Sequence, residues 1–111
     1  MLYNADTLRV PARGVAEDPD IRTRLQAEDV GFEYLNMELR ALGQGQTWRH
    51  EVGEHEVALV ILGGQCTVRS SRGTWKDLGG RKDVFSGLPH ALYLPRRTTF
   101  ELEALTPEFE V

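Results

Sequence analysis

The sequence predicts an all-β protein built as an antiparallel sandwich or barrel, and three observations carry this. Polar and apolar residues alternate with period two along most of the chain, the pattern of strands with one wet and one dry face. The alternating segments recur at the roughly 8–12-residue spacing of sandwiches and barrels. Glycine or proline punctuates them, at Gly53, Gly63-Gly64, Gly73, Gly79-Gly80 and Pro95.

Taken in order, the first element is a short helical turn over residues 20–27. Ile21 and Leu25 stand four apart there, and Asp18 or Asp20 is placed to cap it. In residues 33–41, Leu35, Met37, Leu39 and Ala41 share one parity and Glu38 and Arg40 the other, which predicts a half-buried strand. The run from Gly45 to Gly63 has the shape of a strand pair with a turn at Gly53. Residues 57–62 are apolar on both parities, so both faces are expected to be covered. Gly63-Gly64 then turns the chain into a strand in which Cys66, Val68 and Ser70 alternate with Thr67 and Arg69. Ser71-Arg72-Gly73 reads as a hairpin tip, with residues 74–78 returning and Gly79-Gly80 ending that strand. Residues 92–94 run into Pro95, Arg96-Arg97 turn, and residues 98–105 alternate again. Residues 108–111 open a further alternation. That segment, with the apolar outer face of 57–62, leads us to expect that another domain or another copy completes the fold.

With 111 residues the chain suits one domain able to bury about two-thirds of its unfolded surface. We expect residues 1–30 to pack as an N-terminal segment on a single barrel of residues 31–111. At 27% charged and 41% hydrophobic, the composition is that of a globular rather than a disordered chain. A net charge of −4 argues against nucleic acid as a partner, since phosphate neutralisation needs a basic face. A small anionic substrate remains compatible, because a few local arginines bind one. The single cysteine, Cys66, allows no intrachain disulfide. No secretory signal opens MLYNADTLRVPARG, and the six-residue apolar run 57–62 is far short of the ~20 residues that span a bilayer. The expected location is the cytoplasm, with no membrane partner.

The stretch Gly45–Gly63, GQTWRHEVGEHEVALVILG, resembles the first motif of cupins, in which two histidines separated by one residue are followed by a glutamate and a closing glycine. His50, Glu56 and Gly63 fit, while Val52 stands at the second histidine. The second cupin motif, a proline, a glycine two residues on and a histidine three further, is matched by Pro95 alone; Arg97 and Phe100 replace the glycine and the histidine. A closer resemblance spans about residues 30–111. Gly31-Phe32-Glu33-Tyr34, Val57-Ala58-Leu59-Val60-Ile61-Leu62-Gly63-Gly64, Gly80-Arg81-Lys82-Asp83-Val84-Phe85-Ser86-Gly87-Leu88-Pro89 and Tyr93-Leu94-Pro95 follow in the order found in the N-terminal half of the 5-deoxy-glucuronate isomerase family.

That resemblance implies a cupin-type barrel and an aldose–ketose isomerase of myo-inositol catabolism acting on a sugar acid. The family looks like two fused cupins, with its divalent metal on the C-terminal one. For this chain it implies a supporting half with no metal cofactor of its own, inactive by itself, joined to a second cupin domain or to another copy as a homo-oligomer such as a dimer. The alternative is a stand-alone non-catalytic cupin that binds a small polar ligand or self-associates.

The candidate substrate-binding residues are His50 and Glu56. A catalytic metal site offers three protein ligands and an open position. One imidazole and one carboxylate beside Val52 and Phe100 fall short of that, so no catalytic and no metal-binding residue is expected here. His55 has the opposite strand parity to Glu56 and reads as a surface histidine. His90 reads as a solvated loop residue. Cys66 has no charged neighbour that would lower its pKa and is expected to be an inert core residue. Arg96-Arg97 read as a solvated turn, Trp48 and Trp75 as covers for the barrel ends or an interface. The glycine pairs lack the strand-to-helix setting of a phosphate loop and are turns.

Overall fold

The computed structural model describes residues 9, 14–26 and 35–111. Every regular element among them is a strand: β1 (Ile21–Leu25), β2 (Met37–Leu42), β3 (Thr47–Glu51), β4 (Val57–Ile61), β5 (Gln65–Ser70), β6 (Gly73–Gly79), β7 (His90–Leu94), β8 (Thr99–Ala104) and β9 (Phe109–Glu110). All the pairings described below are antiparallel, as the alternation requires. No helix among the described residues is long and apolar enough to cross a membrane. The chain divides into two compact units, residues 1–41 and 42–111.

In the first unit the expected helical turn is a strand. Ile21, Thr23 and Leu25 are buried and the residues between them are not, which is period two rather than 3.6. Two β-branched residues on the buried parity favour this outcome. β1 pairs with β2, Leu25 opposite Met37 and Ile21 opposite Arg40, with a register shift between Ile21 and Thr23. Ala27 and residues 31–34 lie outside the described residues, and with them the ends of two expected elements and the first piece of the family resemblance.

β2 also reverses the expected parity. Leu35 and Met37 are exposed, whereas Arg40 is buried. The Arg40 guanidinium is held by Asp18 Oδ2 at 3.0 Å and Glu38 Oε1 at 3.2 Å, and Glu38 also takes Arg24 at 2.7 Å. A charge is tolerated at that depth because it is paired and hydrogen-bonded; unpaired, it costs several kcal/mol, on the order of the stability of a small domain.

The second unit contains a four-stranded sheet in the order β3-β8-β5-β6 and a two-stranded sheet, β4-β7. The Gly45–Gly63 run is therefore not a hairpin: β3 pairs with β8, from Thr47 opposite Glu103 to Glu51 opposite Thr99, and β4 pairs with β7. Gly53, at φ +69°, redirects the chain from one sheet to the other. The hairpin expected at 71–73 is present, with the Ser70 hydroxyl donating to Gly73 O at 2.8 Å and accepting from the N–H groups of Arg72 and Gly73.

The core consists of Leu42, Val52, Leu59, Ile61, Cys66, Val68, Leu94, Phe100, Leu102, Ala104 and Phe109, with Trp48 and Trp75 packed against it. Each fully buried Leu, Ile, Val or Phe contributes about 1.5–3 kcal/mol of transfer free energy. Among the described residues only one face of 57–62 is covered. Leu59 and Ile61 enter this core, while Ala58 and Val60 on the other parity are exposed. β9 adds a short edge: Leu62 N–H donates to Glu110 O at 2.9 Å and Glu110 N–H to Gly63 O at 3.0 Å.

Cys66 is fully buried, and burial pushes its thiol up to about 11. The thiolate is the reactive form. The folded protein is therefore expected to resist a disulfide reagent at neutral pH and to release one equivalent of thiol only on denaturation. Rapid stoichiometric labelling of the native chain contradicts that placement.

Candidate functional site

The cupin-like motif residues are distributed over both sheets of the second unit. On the inner face of the four-stranded sheet, His50 stands opposite Phe100, which stands opposite Ser70. The next inward row is Trp48, Leu102, Val68 and Trp75. Three rings gather at the β3–β8 end of these rows. Trp48 meets Phe100 edge-on with centroids 5.1 Å apart, and His50 lies 5.7 Å from Trp48 and 5.8 Å from Phe100. His50 is exposed, so its imidazole sits at a rim with its ring against aromatic surface.

The two positions where a cupin metal site wants further imidazoles are filled with hydrocarbon. Val52 is 4% exposed and Phe100 is 1% exposed, both inside the core. Glu56 has the same parity as Ala58 and Val60, the outward one, and its Oε1 accepts a 2.8 Å hydrogen bond from the Tyr93 hydroxyl. His50 and Glu56 thus belong to different neighbourhoods, one on the aromatic rim and one beside Tyr93. No group of three or more His, Cys, Asp or Glu among the described residues is arranged to hold a metal ion. The divalent metal implied by the cupin resemblance does not fit the residues at these motif positions, because they supply neither the donors nor a common face.

The Glu56–Tyr93 pair has an electrostatic signature. The hydrogen bond to Glu56 raises the Tyr93 pKa above its ordinary 10, with desolvation and the Glu56 charge acting the same way. The folded-state value of this acid lies above its unfolded value. The bond is intact below pH 10 and is lost as pH climbs through the raised value. Ultraviolet titration is expected to show one phenol ionising late, and Glu56→Gln to bring it back toward 10. A late phenol unaffected by Glu56→Gln refutes the pairing.

The segment between β6 and β7 is tightly built. Arg81 donates to Leu62 O at 2.9 Å, to Ile61 O at 3.3 Å and to Gly87 O at 3.5 Å. Asp83 Oδ1 accepts from Phe85 N–H and from the Ser86 hydroxyl, each at 2.9 Å. These bonds favour the carboxylate and lower the Asp83 pKa. His90 is the first residue of β7 rather than a loop residue. Its Nδ1 accepts from Gly79 N–H at 2.8 Å, which leaves Nε2 to carry the proton of the neutral ring.

At the turn after β7, Arg97 donates to Glu54 at 3.1 Å and Arg96 lies 3.8 Å from the same carboxylate, all three exposed. Arg97 sits at φ +59°, and its N–H donates to Gly53 O at 2.7 Å. The solvated-turn reading of Arg96-Arg97 thus gains an ion-pair partner. A carboxylate calls for an arginine or a hydroxyl partner, and for Glu56 that hydroxyl is Tyr93, which no local pattern singles out. Sequence reasoning missed the Asp83 turn, although Asp83-Val84-Phe85-Ser86 carried its signal, an Asp able to bond its own backbone two residues on.

The chain matches the KduI/IolB family over residues 8–111. A 5-deoxy-glucuronate isomerase of Geobacillus kaustophilus is 34% identical over 100 residues, covering 89% of this chain and 36% of that protein. One of Geobacillus thermodenitrificans is 37% identical over 84 residues, covering 75% and 31%. The chain spans about a third of the length of these relatives. The crystal structure of an IolB-like protein from Salmonella typhimurium has a TM-score of 0.77 at 22% identity, over 88% of this chain and 37% of that one. The cupin-type antiparallel fold expected from the sequence is the fold shared with this neighbour.

Proposed function

The chain belongs to the KduI/IolB family, and from that membership we propose that it serves an aldose–ketose isomerase acting on 5-deoxy-glucuronate in the cytoplasm, within myo-inositol catabolism, as a supporting part. What carries this reading is the contrast between a close family match and motif positions filled by Val52 and Phe100. Aldose–ketose isomerisation moves a proton between adjacent carbons and needs a positioned base. His50 is exposed on the aromatic rim, and we assign it to contact with the sugar acid rather than to proton transfer. Glu56 is the second candidate contact, through the carboxylate oxygen that Tyr93 leaves free. The proton-transfer machinery and any divalent metal belong, on this reading, to the part of the longer relatives that this chain does not match.

The test has two arms. The chain alone, supplied with divalent metals, is expected to leave 5-deoxy-glucuronate unconverted. A Geobacillus relative lacking its matched segment is expected to lose activity and to regain at least a tenth of it when this chain is added. Turnover by the chain alone at rates typical of enzymes, about 1 s⁻¹ or faster, overturns the supporting role.

The outward face of β4 and β7 favours a second reading, a stand-alone cupin that associates with itself. On that reading the chain alone is equally inactive, but it fails to restore the shortened relative.

A further inference from the structure

The turn after β7 is held rigid while the head of Arg96 is left open. Pro95 O accepts from the Thr98 hydroxyl at 2.7 Å, and Thr98 is fully buried. Arg96 O accepts from Arg72 Nη2 at 3.0 Å, and Arg72 Nε donates to the same Thr98 oxygen at 3.2 Å. Arg97 carries a left-handed φ of +59° that glycine takes without strain, with its N–H on Gly53 O at 2.7 Å. The side chains of the two arginines differ. Arg97 Nε hydrogen-bonds Glu54 Oε1 at 3.1 Å, whereas Arg96 Nη1 lies 3.8 Å from Glu54 Oε2, beyond hydrogen-bond distance. Among the described residues of the second unit, Arg49, Arg69, Arg72, Arg81 and Arg97 each have a polar partner for the guanidinium within 3.2 Å. Arg96 does not, and its fork of donors faces water from a fixed backbone.

Arg96 also belongs to the neighbourhood of Tyr93 and Glu56. The hydrogen bond to Glu56 raises the Tyr93 pKa, and the Arg96 charge acts on the same phenol in the opposite sense. Glu56 uses Oε1 for that bond, at 2.8 Å, and keeps Oε2 as an acceptor. Tyr93 is 57% exposed, with the small Ala58 opposite it on β4 and Ala91 two residues before it on the same face. The ring is an apolar body with a polar tip, and its body is uncovered. A cation with open donors, an uncovered ring and a carboxylate with a spare oxygen thus adjoin on one surface.

We propose that Arg96, Tyr93 and Glu56 form a binding site for a hydroxylated carboxylic acid, in which Arg96 takes the ligand's carboxylate and sets the preference for acids over neutral sugars. The inference rests on the sugar-acid reading above and deepens its Glu56 contact; Arg96 and Tyr93 are the residues it adds. A guanidinium grips a carboxylate through two parallel N–H···O bonds, which are charge-assisted and directional. The spare Glu56 oxygen accepts from a ligand hydroxyl, and the Tyr93 ring covers carbon-bound hydrogen. In 5-deoxy-glucuronate the carbon next to the carboxylate bears no hydroxyl. That ligand therefore offers a charge, an apolar carbon and hydroxyls, the three features that Arg96, Tyr93 and Glu56 match.

Glu54 is the competitor for Arg96, and a weak one. An exposed ion pair at 3.8 Å contributes little, so an incoming carboxylate displaces it at small cost. Arg97 keeps its own hydrogen bond to Glu54 when Arg96 lets go, so the displaced carboxylate is not left without a partner. The rigid turn limits the freedom lost on binding to the Arg96 side chain and the ligand.

Titration of the isotopically labelled chain with D-glucuronate, followed by amide chemical shifts at neutral pH and constant ionic strength, tests this, with D-glucose as the neutral probe. Glucuronate is expected to bind the wild type at about 1–10 mM, the range of a site with few contacts, and at least ~10-fold more tightly than glucose. The amides of Tyr93, Arg96 and Arg97 are expected to move. Arg96→Gln is expected to weaken glucuronate at least ~10-fold, to the level of glucose, with an unchanged circular dichroism spectrum. Arg49→Gln removes an equal charge from the four-stranded sheet and is expected to leave the affinity within about 2-fold. No binding of glucuronate up to about 50 mM, equal affinity for the two sugars, or equal losses in the two variants overturns the proposal. The result is separable from the complementation test. Glucuronate held through Arg96 by a chain that restores no relative keeps the site and removes the supporting role. Restoration by a chain that binds glucuronate independently of Arg96 keeps the role and removes the site.

Discussion

Ile61→Asp is expected to abolish folding, whereas Val60→Asp, one residue earlier, is expected to leave the unit folded. Ile61 is fully buried among Leu59, Val68, Phe100 and the rest of the core. A carboxylate there has no cationic partner in the core and must be desolvated or protonated, and it also removes one of the larger aliphatic side chains. The combined cost, several kcal/mol for the polar group and about 2–5 kcal/mol for the lost packing, is comparable with the roughly 5–15 kcal/mol that holds a domain of this size together. Val60 points the other way and is 43% exposed, so its replacement strands no charge. Thermal melts followed by circular dichroism on dilute protein separate the two cases. A cooperative transition for Ile61→Asp within a few degrees of wild type shows that the inward parity of β4 is misassigned.

Gly79→Ala is the second large effect. Gly79 closes β6 at φ +93°, a conformation L residues rarely adopt. A Cβ on it meets the carbonyl oxygen of Gly64 and lies 2.8 Å from Ile61 Cγ2. Neither neighbour is free to yield. The Gly64 carbonyl already accepts from Gly80 N–H at 3.0 Å, Gly64 N–H donates to Arg81 O at 2.8 Å, and Ile61 is locked in the core. Backbone strain of about 1–3 kcal/mol adds to the clash, for an expected loss of about 3 kcal/mol or more and a melting point lowered by roughly 10–20 °C. Gly43→Ala is the control. Its Cβ meets only the flexible end of the Gln46 side chain, at 3.4 Å, and is expected to cost less than about 1 kcal/mol. Equal melting points for the two variants contradict the close approach at Gly79.

The parts of this fold that were legible in the sequence are those fixed by local pattern. The β5–β6 hairpin followed from alternation broken by Ser71-Arg72-Gly73, and β8 from alternation after Arg96-Arg97. The antiparallel all-β class followed from the same signal repeated. Partner choice did not, because period two says which face a residue takes and nothing about its neighbour. β3 and β4 are adjacent in sequence yet belong to different sheets.

Ile21 and Leu25 show a second limit. A spacing of four satisfies a helical turn and also a strand, and it is Thr23 on the buried side that separates them. β2 shows a third, since Arg40 is buried by partners that its local pattern does not reveal, among them Asp18, 22 residues away. At the candidate site, Val52 and Phe100 were readable as hydrocarbon where donors are wanted, and both lie in the core. The outward placement of Glu56 was not readable, because its bond to Tyr93 joins residues 37 apart.

The supporting role requires a chain with too few donors to hold a divalent metal at its cupin-like motif. Equilibrium dialysis of the purified chain against micromolar zinc, manganese or ferrous ion, followed by elemental analysis, tests that directly. The expected result is well under one metal per chain for each ion, unchanged by His50→Ala. Near one equivalent of metal that falls with His50→Ala or Glu56→Gln contradicts it.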